Sequence, residues 1–241
     1  MGHIIESIAL SRGHEIGSTI DLGDEDLMNP ENLSNHDVAI EFTSPDSAYN
    51  NIKLCLDAGL PVVSGSTGWT DQLENLKSIC LKEGGSFLYA SNFSLGVNIL
   101  FHINRLLANI MNKYKQYDVE IKEVHHTKKL DAPSGTALSL AEDILKEIDR
   151  KKNWILSEEG SETGSESEPA SETELKINAI REGVVPGIHE VHYDSEFDEL
   201  ILSHSAKDRR GFALGAVLAA EFLKDKKGYY TMDDVLKLGT E

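Results

Sequence analysis

The sequence predicts an α/β protein with a doubly wound parallel sheet and a second, α+β domain. Short β-rich runs alternate with helical patterns as far as residue 90, and the helical patterns close with glycine. Three further β-like runs follow one another without a helix between residues 175 and 206. Strict alternation favours parallel strands joined by right-handed crossovers, and successive strands without a helix favour antiparallel pairing.

The elements of the first part follow from hydrophobic periodicity. Ile4, Ile5, Ile8 and Ala9 share one face of a helix that Gly13 can end. Four strands are expected in "EIGSTID" (15–21), "DVAIEF" (37–42), "PVVSG" (61–65) and "SFLYA" (86–90). Helices are expected in "SAYNNIKLCLDAG" (47–59) and "TDQLENLKSICLKEGG" (70–85).

The second part begins with a helix at 97–114, a strand at 117–124 and a helix at 135–151. Three strands follow, at 175–182, 187–194 and 198–206, and then helices at 212–224 and 232–238. Residues 157–174 hold seven glutamates and no cation, which predicts a mobile acidic loop. The expected domains are residues 1–93 plus 209–241, and residues 94–208.

Composition excludes several classes of protein. The 41 acidic and 23 basic residues give a formal net charge of −18, which argues against a nucleic-acid-binding surface. No apolar run approaches the ~20 residues of a membrane helix, and no basic-then-apolar leader is present, so a cytoplasmic protein is expected. Cys55 and Cys80 lack metal or redox spacing and are expected to be buried free thiols.

A cationic stretch, "EVHHTKKLDAPSGTAL" (123–138), stands out in this acidic chain. Pro133 suits the first turn of a helix, which would leave the N–H groups of Ser134, Gly135 and Thr136 free to bind an anion. The stretch is not a P-loop, so a carboxylate is the better ligand. Nearby histidines and a lysine add groups that can transfer protons. The alternative is an ordinary helix start with a serine cap and surface lysines.

This stretch resembles the signature of the dihydrodipicolinate reductase family. Four other blocks resemble that family in the same order: "FTSP" (42–45), "SGSTGW" (64–69), "ASNFSLGVN" (90–98) and "AKDRRGFALGAVLAA" (206–220). The resemblance covers nearly the whole chain except the acidic loop. It implies a Rossmann-like nucleotide domain, a substrate domain, and a homotetramer assembled through the sheet of the substrate domain.

The resemblance also implies an activity. It is the reduction of 4-hydroxy-tetrahydrodipicolinate, a cyclic dicarboxylate, by NADH or NADPH, in the diaminopimelate route to lysine. His125 is implied to be a proton donor or acceptor, and Lys129 a second proton donor. The substrate is implied to be bound by His126, Ser134, Gly135, Thr136 and Arg209.

The cofactor is implied to be bound by residues at the ends of several strands. They are Gly2, Asp21, Phe42, Thr43, Gly65, Ser66, Thr67, Ala90, Ser91, Asn92 and Phe93. Asp21, at the expected end of the second element, stands where an acid would bind the adenosine ribose. Its carboxylate would repel a 2′-phosphate, which favours NADH slightly.

The chain departs from the family pattern at its start. The family opens with a strand and a G-x-G-x-M-G turn, and Met1-Gly2 matches only the last two letters. We therefore expect the first strand of the sheet to be missing, and a natural protein about ten residues longer, roughly a strand and its turn.

Two other interpretations are weaker. A non-catalytic dinucleotide-sensing or dicarboxylate-binding module would follow from loss of the glycine turn, but such a module has no use for a protic histidine. "HEVH" (189–192) is not expected to bind a metal, because residues i and i+3 of a strand face opposite sides.

Overall fold

The computed structural model describes residues 1–157 and 171–239. The helices are α1 (Gly2–Ser11), α2 (Pro30–Leu33), α3 (Pro45–Asp57), α4 (Leu73–Glu83), α5 (Leu95–Met111), α6 (Gly135–Glu147), α7 (Arg210–Leu223) and α8 (Met232–Leu236). The strands are β1 (Ala39–Glu41), β2 (Val62–Ser64), β3 (Ser86–Tyr89), β4 (Asp118–His125), β5 (Asn153–Ser157), β6 (Glu174–Arg181), β7 (Ile188–Asp194), β8 (Glu199–Ser205) and β9 (Gly228–Tyr230). The chain forms two compact units: unit 1 is Met1–Leu95 with Arg210–Glu241, and unit 2 is Gly96–Arg209.

Unit 1 is built on a parallel sheet in the order β1-β2-β3-β9. Alternate strand residues enter different cores: Val63 and Leu88 pack with α1 and α7, whereas Val62 and Phe87 pack with α3 and α4. Side chains of a strand alternate between faces, so helices cover both sides of the sheet. The predicted doubly wound sheet is confirmed.

Local signals place the helices of this unit. Ser44 and Ser47 form a capping box, and Pro45 occupies the first turn of α3. Gly84 ends α4 in the left-handed conformation, with φ of 63°. Cys55 and Cys80 are buried free thiols, as predicted.

One predicted strand of unit 1 is wrong. Residues 14–21, which contain "EIGSTID", are irregular, and Asp21 begins a turn in which its main-chain oxygen accepts from the Asp24 amide at 3.0 Å. A strand needs a hydrogen-bonded neighbour, and β1 pairs only with β2 among the residues described. Short β9, by contrast, was not predicted, although it pairs with β3.

Unit 2 contains a mixed five-stranded sheet in the order β5-β6-β4-β7-β8. β4 is central, parallel to β6 and antiparallel to β7. α6 packs on β4 and β6 over a core that includes Ile121, Leu140 and Ile177. The predicted second α+β domain is confirmed, but the expected antiparallel pairing of 175–182 with 187–194 is wrong, because β4 lies between them.

The acidic loop falls largely on residues 158–170, which lie outside the described residues. Its expected first and last residues belong to strands instead: Ser157 ends β5, which was not predicted, and Glu174 begins β6. In the described ranges, no helix is long and apolar enough to span a membrane.

Candidate active site

Strand β4 carries two polar side chains into the interior of unit 2. Glu123 and His125 are two residues apart and therefore share one face. Glu123 is fully buried, and His125 is 7% exposed. On the neighbouring strand, His189 lies directly opposite Glu123 and is also buried. The sheet therefore gathers a carboxylate and two imidazoles in the core.

The carboxylate of Glu123 is the centre of this cluster. Its Oε1 accepts hydrogen bonds from the Ser134 amide and from Arg181 Nη2, both at 3.0 Å. Its Oε2 lies 3.1 Å from His125 Nδ1 and 3.8 Å from His189 Nε2. Burial by itself would raise the pKa of Glu123, but the contact with His125 and the hydrogen bonds from Ser134 and Arg181 outweigh it and hold the pKa at about 2. The group is therefore an anion at neutral pH.

His189 is held by a different partner. Its Nε2 lies 3.0 Å from Ser134 Oγ, and its ring stands at 71° to that of His125, with centroids 5.0 Å apart. Burial, followed by the charge of His125, lowers the pKa of His189 to about 3. His189 is therefore neutral at neutral pH.

The other side of the His125 ring faces Gly187. A Cβ at Gly187 would lie 3.0 Å from His125 Nε2, and the glycine has a φ of 155°. A larger residue would be crowded and strained here. Gly187 therefore lies close against the Nε2 edge of the ring.

The loop after β4 places Lys129 beside Asp131. Lys129 Nζ donates to both carboxylate oxygens of Asp131 at 2.7 Å. This contact lowers the pKa of Asp131. Arg181 Nη2 also donates to the main-chain oxygen of Asp131 at 2.6 Å, which ties the loop to β6.

The start of α6 differs from the expected anion trap at Ser134. The Ser134 amide is not free, because it donates to Glu123, and Ser134 Oγ caps the helix by accepting from the Ala137 amide at 3.3 Å. Gly135 is exposed, and Thr136 is half-buried. Ser134 thus links the helix start to the buried carboxylate.

The two remaining predicted substrate residues are less constrained. His126 is half-buried in the turn after β4, and its main-chain oxygen accepts from the Lys129 amide at 3.0 Å. Arg209 is exposed in the turn before α7.

Glu123, His125 and His189 also have the donor atoms of a metal site. One ligand atom from each lies within 4.8 Å of the others. The carboxylate of Glu123 already accepts hydrogen bonds from Arg181 and the Ser134 amide. The positive charge of Arg181 would repel a metal cation at this position. In "HEVH", His189 faces this cluster while His192 contacts Glu199 and Glu190 at 2.6 and 3.2 Å, so the two histidines are separated as predicted.

Unit 1 has a pocket at the carboxyl ends of its strands. Its volume is about 260 Å³. It is lined by Met1, Phe42, Thr43, Pro45, Gly65, Ser66 and Thr67, which include five of the predicted cofactor residues. Open α/β sheets bind ligands at this edge. Gly65 gives the Phe42 ring its place, because an added Cβ would lie 2.3 Å from that ring and displace it.

A buried glutamate organises this pocket. Glu41 is 6% exposed and accepts hydrogen bonds from Ser64 Oγ at 2.5 Å, Ser66 Oγ at 2.7 Å and the Thr43 amide at 2.9 Å. The hydroxyl of Thr43 also donates to it. Glu41 thereby fixes the ends of β1 and β2 against each other.

The block after β3 is more enclosed. Ala90 and Phe93 are buried, Ser91 is exposed and Asn92 is half-buried. The ring of Phe93 lies 5.5 Å from that of Phe42, centroid to centroid. Phe93 is therefore placed to shape the wall behind Phe42.

Asp21 and Gly2 lie in simple surroundings. Asp21 is exposed, and its Oδ1 accepts from the Leu22 amide at 2.8 Å. It is not at a strand end, contrary to the prediction. Gly2 is the first residue of α1, with open space around it.

Sequence reasoning missed four residues of these sites: Glu41, Glu123, Arg181 and His189. Glu41 and Glu123 had a usable signal, since each is a charged residue inside a strand pattern. Glu41 directly precedes the predicted cofactor residue Phe42, and Glu123 lies two residues before the predicted catalytic residue His125. Arg181 and His189 reach the cluster only through the strand order, which the sequence pattern did not reveal.

The fold and the two sites define a class. One unit with a doubly wound sheet and a pocket at its strand ends, and a second unit with a buried histidine–carboxylate cluster, are the plan of a two-domain, dinucleotide-dependent oxidoreductase. The chain belongs to the dihydrodipicolinate reductase family: the family's N-terminal model matches residues 4–93, and its C-terminal model matches residues 96–236.

Relatives of this family match nearly the whole chain. The 4-hydroxy-tetrahydrodipicolinate reductase of Christiangramia forsetii is 47% identical over 237 residues, covering 98% of this chain and 93% of that protein. The enzyme of the same name from Methanococcus vannielii is 35% identical and covers 94% and 85%. A solved structure, dipicolinate-bound dihydrodipicolinate reductase from Paenisporosarcina sp. TG-14, has a TM-score of 0.69 at 24% identity, with 92% and 82% covered, and supports the fold.

Proposed function

We propose that this chain reduces 4-hydroxy-tetrahydrodipicolinate to tetrahydrodipicolinate, with NADH or NADPH, in the diaminopimelate route to lysine. The observation that carries the proposal is the buried His125, in contact with Glu123 at the start of the segment that also holds Lys129 and the N-terminus of α6. Relatives that match 98% and 94% of this chain are named after that reaction.

The proposed chemistry is balanced as follows. The ring of the substrate gains a hydride and a proton, and its hydroxyl leaves as water. A bound nicotinamide cofactor would supply the hydride, and the pocket of Gly65, Ser66 and Thr67 in unit 1 has the small residues that such a group requires. His125 and Lys129 would transfer the protons.

The substrate is a dianion, and unit 2 offers donors for it. The exposed start of α6 provides a positive helix end. In this proposal the carboxylates are bound there, with Ser134 acting through its cap, by the following residues: His126, Ser134, Gly135, Thr136 and Arg209. The Asp131 contact of Lys129 must be exchanged for the substrate during turnover, because the same ammonium serves both.

In unit 1 we assign the cofactor to the strand ends and to two residues outside them, Gly2 at the start of α1 and the exposed Asp21. The residues at and after the strand ends are Phe42, Thr43, Gly65, Ser66, Thr67, Ala90, Ser91, Asn92 and Phe93. Glu41 would act indirectly, by holding Thr43 and Ser66 in place.

The decisive assay supplies the product of the upstream aldolase with NADH or NADPH and follows the absorbance of the reduced nicotinamide. We expect turnover by the wild-type protein. We expect His125→Gln to reduce kcat by roughly 10²-fold or more with little change in KM, because a proton-transfer group acts mainly in the transition state. Binding of the cofactor without turnover would favour the non-catalytic module instead.

The nicotinamide preference can be tested at Asp21. A carboxylate beside the ribose repels a 2′-phosphate, so Asp21→Asn should improve kcat/KM for NADPH relative to NADH by a few-fold. Asp24→Asn, three residues away in the same exposed turn, is the matched control and should leave the ratio unchanged. An unchanged ratio in Asp21→Asn would remove Asp21 from the cofactor site.

We also propose a cytoplasmic homotetramer that assembles through the sheet of unit 2. The edge strand β8 supports the interface, since Leu200 and Ile201 are 41% and 48% exposed. Exposed apolar edge strands are normally covered. Light scattering should give the mass of four chains, and the mass of one chain would refute the assembly.

A further inference from the structure

We propose that Glu123 is a positioning residue that determines which nitrogen of His125 carries the exchangeable proton. In this proposal Glu123 Oε2 accepts from the Nδ1–H of His125, so that Nε2 faces the reaction. The inference rests on the proposed role of His125 in proton transfer and adds to it a residue that does not touch the substrate.

The first support is a pair of buried atoms that lack any other partner. His125 Nδ1 and Glu123 Oε2 are 3.1 Å apart, but they are not aligned as a hydrogen bond. Among the residues that the structure describes, neither atom has another hydrogen-bond partner. Buried polar atoms without partners are costly. A small rotation of the imidazole would satisfy both atoms.

The second support is that the rest of the carboxylate is already committed. Arg181 and the Ser134 amide both donate to Oε1 at 3.0 Å. These two contacts fix the plane of the carboxylate and leave Oε2 directed at the histidines. Groups held in this way on three elements (β4, β6 and the start of α6) form a rigid support for His125.

The third support is that His189 does not compete for Oε2. Its Nε2 is 3.8 Å from Oε2 but 3.0 Å from Ser134 Oγ. The lowered pKa of His189 agrees with a neutral ring there. The negative charge of Glu123 therefore acts mainly on His125.

The fourth support lies on the opposite edge of the ring. Gly187 lies against the Nε2 edge of the ring, and a Cβ there would be 3.0 Å from Nε2, so a larger residue would crowd this nitrogen. With the carboxylate on Nδ1 and only a glycine at Nε2, Nε2 is the nitrogen left to reach a substrate. Among the described residues, the charged or titratable groups around His125 are Glu123 on β4, His189 on β7 and Arg181, the pairing partner of His125 on β6. The charges of Lys129 and His204 act on the neighbouring His189.

The test is Glu123→Gln. The glutamine oxygen can still accept from Arg181 and Ser134, but its amide N–H would donate to Nδ1 and force the proton onto Nε2, the wrong tautomer. We expect kcat to fall roughly 10²-fold with KM little changed, and the pH profile of kcat to move to lower pH because the charge that favours the imidazolium is lost. Long-range proton–nitrogen NMR should show the change of tautomer.

Glu120→Gln is the matched control. Glu120 is on the same strand but the opposite face, where it accepts from Asn178 Nδ2 at 3.3 Å. This variant loses the same charge from β4 and should keep the wild-type kcat, pH profile and His125 tautomer.

The outcomes separate this inference from the proposed function. If His125→Gln is inactive while folded Glu123→Gln keeps the wild-type pH profile and tautomer, Glu123 is not a positioning residue and the proposed function stands. If His125→Gln remains active, the proposed function fails. If Glu123→Gln does not fold, the NMR spectrum of the wild-type protein decides, and a proton on Nε2 rather than Nδ1 of the neutral ring would overturn the inference. Loss of turnover on removal of a bound metal by EDTA would also overturn it, since Glu123 would then be a ligand.

Discussion

Two glycines of helix α7 have opposite surroundings. A Cβ at Gly215 would lie 1.7 Å from the main-chain oxygen of Phe93, whereas a Cβ at Gly211 would meet nothing within 4 Å. The helix therefore approaches the backbone after β3 at Gly215. This contact holds the segment that contains Phe93, one of the proposed cofactor residues.

This difference makes a paired test of packing. Gly215→Ala should lower the free energy of unfolding by about 1–3 kcal/mol, because backbone must move to admit the methyl group. Gly211→Ala should leave it unchanged or raise it by up to about 1 kcal/mol, since alanine favours a helix. Chemical denaturation measures both. Equal stability in the two variants would show that the contact with Phe93 is unimportant.

Single residues also show what a sequence can reveal about a site. The motif around His125 could be recognised from the sequence because its functional residues are close together in the chain. The role of Glu123 was predictable in principle, since a strand places residues 123 and 125 on one face. Arg181 and His189 were not, because their positions beside Glu123 depend on pairing of β4 with both β6 and β7.

At the scale of elements, the loop between β4 and α6 is held by two contacts with Asp131. Its side chain pairs with Lys129, and its main-chain oxygen accepts from Arg181. The side chain is 61% exposed, so the ion pair is weak enough to exchange for a substrate carboxylate.

Removal of the Asp131 carboxylate, which competes with the substrate for Lys129, should strengthen substrate binding. Asp131→Asn frees Lys129 but keeps the main-chain contact, so KM should fall by about two- to fivefold, corresponding to the up to ~1 kcal/mol of an exposed pair. Glu182→Gln, an exposed charge change at the end of β6, is the control and should leave KM as it was. A higher KM in Asp131→Asn would indicate that Asp131 orients Lys129 for catalysis.

The elements that were predicted wrongly share a physical cause. Periodicity reports which residues can form a strand, but pairing decides whether they do. "EIGSTID" has the composition of a strand and no described partner, while β9 is three residues long and is a strand because β3 lies beside it. The order β5-β6-β4-β7-β8 likewise cannot be read from alternation alone.

At the scale of the whole molecule, the buried histidine predicts a loss of stability in acid. In the unfolded chain His189 takes up a proton as the pH falls through about 6.5, whereas in the folded protein its pKa is about 3. The contribution of neutral His189 to the free energy of unfolding is therefore fully present above pH 6.5. It decreases by roughly 1.4 kcal/mol per pH unit as the pH falls from 6.5 toward 3. Glu123 adds a second loss, between 4.5 and about 2.

Denaturation at a series of pH values checks this. His189→Asn should have a shallower slope between pH 6 and 4, although its stability at neutral pH will be lower because Ser134 loses a partner. His192→Asn, on the same strand but outside the cluster, should retain the steep slope. An equally steep slope in His189→Asn would assign the acid sensitivity to other groups.

Unit 1 is assembled from two separate segments of the chain, which has a consequence for folding during translation. The edge strand β9 of its sheet belongs to the second segment and pairs with β3, while unit 2 is continuous in sequence. On the ribosome, unit 2 can therefore complete its fold while β3 still has a bare edge. Bare strand edges are prone to aggregation. Strand β9 thus protects the edge of β3 from pairing with other chains. A truncation that removes β9 should reduce the yield of soluble protein more than the length of this strand suggests.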